Sequence, residues 1–359
     1  MSGRTIIPFG PQHPVLPEPL HFDFVTEDER IVEAIPSIGY VHRGLELLVD
    51  KKDYIEFVYV AERICGICSF MHGMTYCLAI EEIMKLDVPP RAQYLRVIWS
   101  ELSRMHSHLM WLGFAADAFG FESLFMHSWR MREHVLDIIE ATTGGRVIFG
   151  SCKVGGTRRD IENSVLRGIV DKLEQMKDEL KSVTDVFLKD YSIEHRLRGT
   201  GVITREGAHK LGAVGPMLRA SGIESDTRRT GYAAYNHLEF APVVEQDGDC
   251  YARCAVRVRE IFQSIELIRQ ASLKIPDGAV EMKVAGVPDG EYFMRVEQPR
   301  GEVVYYIKAN GTKNIERFRV RTPTFANIPA MVTTMKGSHM ADIPNIILTI
   351  DPCISCTER

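Results

Sequence analysis

The sequence predicts a mainly α-helical α+β fold, a bundle of long helices with small β-hairpins and a sheet at its periphery. Three observations carry this. Apolar residues recur every three or four positions through several long central stretches. Alternating, β-rich runs occur only toward the two ends. Two Cys-x-x-Cys pairs, Cys65/Cys68 and Cys353/Cys356, lie near opposite ends of the chain. If both pairs serve one centre, the ends must meet in the same core. The expected organisation is therefore a single domain over 1–359. It comprises an N-terminal arm and hairpin (1–43), a helical core (44–275), and a β-rich segment carrying the last cysteine pair (276–359).

The first twenty residues are punctuated by prolines and contain Gly10-Pro11-Gln12-His13-Pro14, which predicts an extended arm. Phe22 and Phe24 alternate with polar neighbours, and Ile31, Val32 and Ala34 follow a turn over 26–30, so a β-hairpin is expected. Leu45, Leu48, Tyr54, Phe57, Val58 and Ala61 fit helical spacing loosely, predicting a helix over 44–61 that delivers the first cysteine pair. Residues 69–86 continue helically up to Pro89-Pro90. A core helix is expected over 92–114, where Leu95, Ile98, Leu102, Met105 and Leu109 recur. Asp160 is the expected N-cap of another, carried by Ile161, Val165, Ile169, Leu173, Met176, Leu180, Val183 and Phe187. A further helix covers 252–274, through Val256, Ile261, Ile265 and Ile268. Residues 292–296 and 303–307 flank the turn Gln298-Pro299-Arg300-Gly301, 317–321 adds a strand, and a short helix is expected near 329–336.

The chain has 359 residues, 45% hydrophobic and 25% charged, enough for a large core. Its formal net charge of -5 includes no long run of one sign, so nucleic acid is not an expected partner. No stretch approaches the roughly 18 uncharged apolar residues of a membrane helix, and the first residues lack a signal-peptide pattern. A soluble, cytoplasmic chain with reduced thiols is expected. Of the eight cysteines, Cys77, Cys152, Cys250 and Cys254 lie outside the paired motifs. Cys250 and Cys254, at i,i+4 spacing, read as small buried hydrophobes.

Two Cys-x-x-Cys pairs supply four soft ligands, a set that suits zinc, nickel, copper(I) or iron. A structural tetrathiolate zinc site is one reading. Against it, zinc pairs usually lie within a small module, and the flanks here are unusual: Arg63 before the first pair, His72 after it, and Asp351-Pro352 before the second.

Arg63-Ile64-Cys65-Gly66-Ile67-Cys68 with His72, answered by Asp351-Pro352-Cys353-Ile354-Ser355-Cys356, resembles the pair of motifs of nickel-iron hydrogenase large subunits. The resemblance implies that Cys65 and Cys353 are terminal nickel ligands. Cys68 and Cys356 would bridge nickel to an iron bearing carbon monoxide and cyanide. It further implies that Glu18 accepts the proton near Cys353, and that Arg300 hangs a guanidinium over the metal edge. His72 would bond a bridging sulfur, and Arg63 would compensate the thiolate charge. Many family members hold a magnesium ion between a glutamate, here Glu46, and a C-terminal histidine, where this sequence has Arg359. Arginine has no lone pair to ligate a cation. Magnesium is thus not expected, and a direct Glu46–Arg359 pair is.

Further runs are similar to the energy-converting, membrane-bound group, Ech type, and to the large quinone-site subunit of respiratory complex I. They are residues 10–14, 39–44, 101–108, 155–156 and 321–327. His13, His42, His106 and His108 lie in these runs, where the resemblance implies a proton path or a subunit interface. The implied reaction is reversible reduction of protons to dihydrogen with ferredoxin electrons, coupled to ion translocation. The implied partners are a small iron-sulfur hydrogenase subunit, a ferredoxin-type subunit and integral membrane subunits. Iron-sulfur clusters would sit in the partners only, and the complex on the cytoplasmic side of the membrane. A carbon-monoxide-linked hydrogenase large subunit and a metal-free, complex I-like coupling subunit are the alternatives.

Overall fold

A computed structural model describes residues 4–14 and 16–359; residues 1–3 and 15 of the expected arm lie outside it. The chain starts with three antiparallel strands, β1 (Thr5–Phe9), β2 (His21–Glu27) and β3 (Arg30–Ser37), in the order β1-β2-β3. The expected hairpin is β2–β3, and part of the arm is itself a strand. Phe22 and Phe24 are fully buried on the inner face with ring centroids 5.3 Å apart.

The helix expected over 44–61 is broken. A 3-10 turn (Leu45–Asp50) precedes α1 (Phe57–Glu62), and the backbone between them is diverted. Tyr54 N donates to Lys313 O at 2.8 Å, and Asn314 Nδ2 donates to Asp50 O at 2.7 Å. Those bonds to the later β-hairpin replace the i→i−4 bonds a continuous helix would need. After the first cysteine pair come α2 (Ser69–Met84), α3 (Pro90–Ala118) and α4 (Glu122–Thr143), the last not foreseen from the sequence. A two-strand ladder, β4 (Cys152–Lys153) and β5 (Gly156–Thr157), leads to α5 (Asn163–Lys189).

Asp160 does not cap α5; Glu162 occupies that position, and Asp160 instead takes a hydrogen bond from Arg91 Nε at 2.8 Å. The buried face of α5 runs through Leu166, Ile169, Leu173, Met176, Leu180, Val183 and Phe187, while Val165 is exposed. Each such side chain contributes about 1.5–3 kcal/mol when buried. Short helices α6 (Tyr191–Leu197), α7 (Arg205–Lys210) and α8 (Pro216–Arg219) precede α9 (Cys250–Lys274), which Asp249 caps through Ala252 N. Cys250 and Cys254 are buried on α9.

The second three-stranded sheet is β6 (Asp289–Gln298), β7 (Gly301–Asn310) and β8 (Ile315–Arg321). The β6–β7 connection is Pro299-Arg300, with Gln298 paired to Gly301. Gly301 has φ +128, and a Cβ on the neighbouring Gly215 would fall 2.3 Å from Gly301 Cα. Only glycine permits that approach, which presses the turn inward. The last helices are α10 (Pro323–Met335), starting six residues before the expected stretch with proline at its first position, then α11 (Ile343–Ile350) and α12 (Ile354–Glu358).

Two apolar clusters result. One joins α1–α5, α9 and the second sheet; the other joins the first sheet, the end of α3, α6–α8, α10 and α11. The four motif cysteines form a separate buried group, one pair delivered from each cluster. Among the described residues no helix is long and apolar enough to cross a membrane.

Candidate metal centre

The first pair sits in the turn between α1 and α2. Cys65 Sγ accepts from Ile67 N at 3.2 Å and Cys68 N at 3.4 Å, which folds the loop around its own sulfur. Of the second pair, Cys353 sits between α11 and α12 as the N-cap of α12, and Cys356 lies within α12. Asp351 ends α11 in the left-handed region (φ 60), and Cys353 N donates to Thr324 Oγ1 at 3.0 Å on α10. The two turns face each other. Cys65 Sγ is 3.5 Å from Cys353 Sγ, and Cys68 Sγ is 3.6 Å from Cys356 Sγ. The sulfurs of Cys65, Cys68 and Cys356 all lie within 4.8 Å of one another, and none of the four is in a disulfide.

Hydrogen bonds from Cys353, Cys356 and Cys68 push the Cys65 thiol well below its usual range, while burial pushes Cys68 up. A soft cation would bind these sulfurs as thiolates and release their protons on binding. Around the sulfurs, His72 places Nε2 3.4 Å from Cys356 Sγ and Nδ1 2.6 Å from Tyr305 Oη. Burial lowers its pKa to about 4, so the ring is neutral at neutral pH. Gln298 Oε1 is 3.6 Å from Cys68 Sγ. Arg300 Nε donates to Asp351 O at 2.7 Å and Nη2 to Asp351 Oδ1 at 2.8 Å. Burial opposes the Arg300 charge, but Asp351 and the thiols of Cys353, Cys65 and Cys68 outweigh it.

The turn that carries Gln298 and Arg300 is anchored by a buried ionic network. Arg104 on α3 donates to Glu297 O at 2.8 Å and Gln298 O at 3.1 Å. Arg219 bonds Glu260 Oε1 at 2.6 Å and Glu297 Oε1 at 2.7 Å; Arg228 bonds Asp226 Oδ2 at 2.7 Å and Glu101 Oε1 at 3.2 Å. Burial opposes ionisation of Glu101, yet Arg104 and Arg228 hold its carboxyl below the usual range.

Glu18 reaches α12 from the arm, accepting from Ile354 N at 2.5 Å, Ser355 N at 3.0 Å and the Ser355 hydroxyl, directly beside Cys353. Glu46 accepts from Val320 N at 2.8 Å, Arg319 Nη1 at 2.7 Å and Arg359 Nε at 2.9 Å. Its oxygens are thus occupied by donors, a poor fit to a magnesium ligand. Arg63 is exposed and donates to Tyr59 O at 2.8 Å, so it does not reach the sulfurs. The guanidinium that binds both cysteine segments is that of Arg43, which donates to Arg63 O and Ile64 O at 2.8 Å and Ser355 O at 3.0 Å.

The four histidines are dispersed. His13 stacks on Phe9 at 4.1 Å, and His42 Nδ1 lies 2.5 Å from Glu358 O. His106 accepts from Arg132 Nε at 3.0 Å, and His108 bonds Glu260 Oε2 at 2.9 Å. His106 and His108 are buried within the bundle and so are not surface interface residues. Sequence reasoning passed over Arg43, Glu62 and Glu358. Glu358 accepts from Gly39 N at 2.6 Å and Val41 N at 2.5 Å, locking the 39–43 loop onto α12.

The donor set fits a nickel-iron group. Four thiols converge, and Gln298 Nε2 and Asp351 Oδ2 are buried polar atoms with no hydrogen-bond partner among the described residues. They leave polar capacity beside the sulfurs for small polar ligands on a metal.

Comparison with known proteins sets this geometry in context. The family described as respiratory-chain NADH dehydrogenase, 49 Kd subunit, matches residues 118–285 and 282–359, and nickel-dependent hydrogenase matches residues 43–114. Membrane-bound hydrogenase subunit alpha of Pyrococcus furiosus is 39% identical, over 98% of this chain and 87% of that protein. The carbon monoxide-induced hydrogenase of Rhodospirillum rubrum is also 39% identical, over 100% of both chains. A chain in the solved structure of the membrane-bound sulfane sulfur reductase, an archaeal respiratory membrane complex, is 30% identical with a TM-score of 0.94. That match covers 99% of this chain and 98% of the other.

Proposed function

Because the chain belongs to the family of large subunits shared by membrane-bound hydrogenases and respiratory-chain NADH dehydrogenase, we propose that it is the catalytic subunit of an energy-converting nickel-iron hydrogenase. The observation that carries this reading is the convergence of four buried, unoxidised thiols from opposite ends of the chain.

Cys65, Cys68, Cys353 and Cys356 would hold nickel and iron. When bound, that group would supply a soft, redox-active centre for the interconversion of dihydrogen with two protons and two electrons. The chain's own residues do the rest. Arg300 presents a fixed positive charge whose orientation is set by its two bonds to Asp351. Neutral His72, held by Tyr305, orients the Cys356 sulfur. Glu18, tethered to the start of α12, takes the proton delivered at Cys353. Burial of all four sulfurs keeps bulk water off the centre.

Electrons must arrive from elsewhere, since Cys250 and Cys254 lie on α9 while Cys77 and Cys152 are on α2 and β4, and these do not form a second four-thiol set. A small iron-sulfur subunit and a ferredoxin-type subunit would deliver them, with ferredoxin as the external carrier. Membrane subunits would provide attachment on the cytoplasmic face and ion translocation. The match of residues 118–285 and 282–359 to the 49 Kd family favours a second reading, a metal-free coupling subunit.

Metal analysis of the anaerobically purified native complex, with an infrared spectrum of metal-bound carbon monoxide and cyanide, separates the two. Nickel, iron and those bands are expected, with loss of nickel and of hydrogen activity in Cys353→Ser. A wild-type complex free of nickel, or full activity in that variant, would overturn the catalytic reading.

A further inference from the structure

Glu18 approaches the thiols from the Cys353 side; a second carboxyl lies on the other side. Glu62 closes α1, just before the Cys65 turn, and is 1% exposed. Neither of its oxygens has a hydrogen-bond partner among the described residues. Its side chain fills a slot left by two glycines. A Cβ on Gly73 of α2 would fall 2.6 Å from Glu62 Cγ and 2.8 Å from Oε1, and one on Gly150 would lie 3.4 Å from Oε2. Both glycines lie on segments that also reach the thiol site. Gly73 adjoins His72, whose Nε2 touches Cys356. The segment before Gly150 folds onto the first cysteine turn, where Ser69 Oγ donates to Val147 O at 2.7 Å.

The charged groups that face Glu62 are Arg158, beyond β5, and Arg63, on its own segment, and Gly73 of α2 packs against its side chain. Arg158 stacks over the Tyr59 ring at 4.6 Å and Arg63 donates to Tyr59 O, so neither is bonded to the carboxyl. Burial lifts the Glu62 pKa to about 7, against a weaker opposing pull from Arg158 and Arg63. Glu18 is tethered by three donors, whereas Glu62 is tethered by none.

We propose that Glu62 is a second proton-exchanging carboxyl of this site, serving the Cys65–Cys68 side and opening to solvent at the edge formed by Arg158 and Tyr59. The cycle makes and breaks only O–H bonds. The acid gives its proton to water at that edge, and the carboxylate takes the next from the thiol side, or the reverse, with no electron transferred at Glu62. This role rests on the hydrogenase reading above.

The test uses the intact purified complex carrying Glu62→Gln or, separately, Gly73→Ala, which keeps the carboxyl but drives it from its slot. Wild type is expected to show a protonated-carboxyl infrared band that fades as pH rises through the neutral range. That band should be absent from Glu62→Gln and displaced in Gly73→Ala. Hydrogen-isotope exchange between dihydrogen and water should fall by roughly 10²-fold in both variants at unchanged nickel content. No such band in wild type overturns the proposal, as does unchanged exchange in a Glu62→Gln complex that has lost the band. A wild-type complex without nickel fails the hydrogenase reading, and with it the link to dihydrogen, while the infrared titration still decides whether Glu62 exchanges a proton.

Discussion

Arg300 makes two bonds to one residue from two different nitrogens, an arrangement that a lysine ammonium does not reproduce. Arg300→Lys should keep the fold and the metal content but lower hydrogen evolution by roughly 10²-fold, read by activity assay beside metal analysis. At this scale the sequence was most legible where chemistry restricts residue type. Four cysteines in two short pairs, with His72 four residues past the first pair and Arg300 in a recognisable turn, named the group that the fold brings together. Arg63 misled because adjacency along the chain is not adjacency in space. It points outward along α1, and Arg43 from another segment reaches the backbone of both cysteine turns instead. Glu62 carried no signal beyond its place before Arg63, since a partnerless carboxyl is recognised only once its neighbours are known.

Among elements, α3 does two jobs at once, packing the bundle and carrying Arg104 to the carbonyls of Glu297 and Gln298. Arg104→Met should cost about 3–5 kcal/mol by leaving Glu101 and those carbonyls short of a partner in the interior, measured by thermal or denaturant unfolding. The C-terminal helix α12 is held by protein groups: Glu46 with Arg359 and Arg319, and Glu358 with the 39–43 loop. A magnesium chelator should therefore leave the melting temperature unchanged, whereas Glu46→Gln should lower it, by about 1–3 kcal/mol in stability. Long helices were legible wherever one face is uniformly apolar, as in α5. The α4 helix was not, because Ser128 interrupts its buried stripe to donate to Leu109 O at 2.7 Å. Residues 44–61 had helical spacing, but their backbone bonds go to the β7–β8 turn, a long-range partner invisible to local periodicity.

For the whole molecule, acid stability follows from its buried titratable groups. Burial lowers His106 to about 3 and His108 to about 4. Between those values and about 6.5 the unfolded chain binds more protons. Their contribution is thus lost as pH falls through that window. Glu62, raised to about 7, acts with the opposite sign: its contribution is present below about 4.5 and lost as pH rises to about 7. Unfolding midpoints against pH should fall on the acid side in wild type, and Glu62→Gln should remove only the loss between about 4.5 and 7. The seam between the two apolar clusters, where the thiols meet, also has a consequence for biosynthesis. Cys65 and Cys68 leave the ribosome early, and Cys353 follows 288 positions later. Throughout that interval a nascent chain has only two of the four thiols, so on the hydrogenase reading a metal delivered during translation would need a carrier to supply the rest. Docking of α12 against the 39–43 loop brings in the second pair, and on the hydrogenase reading it sets the earliest moment at which such a carrier could let go.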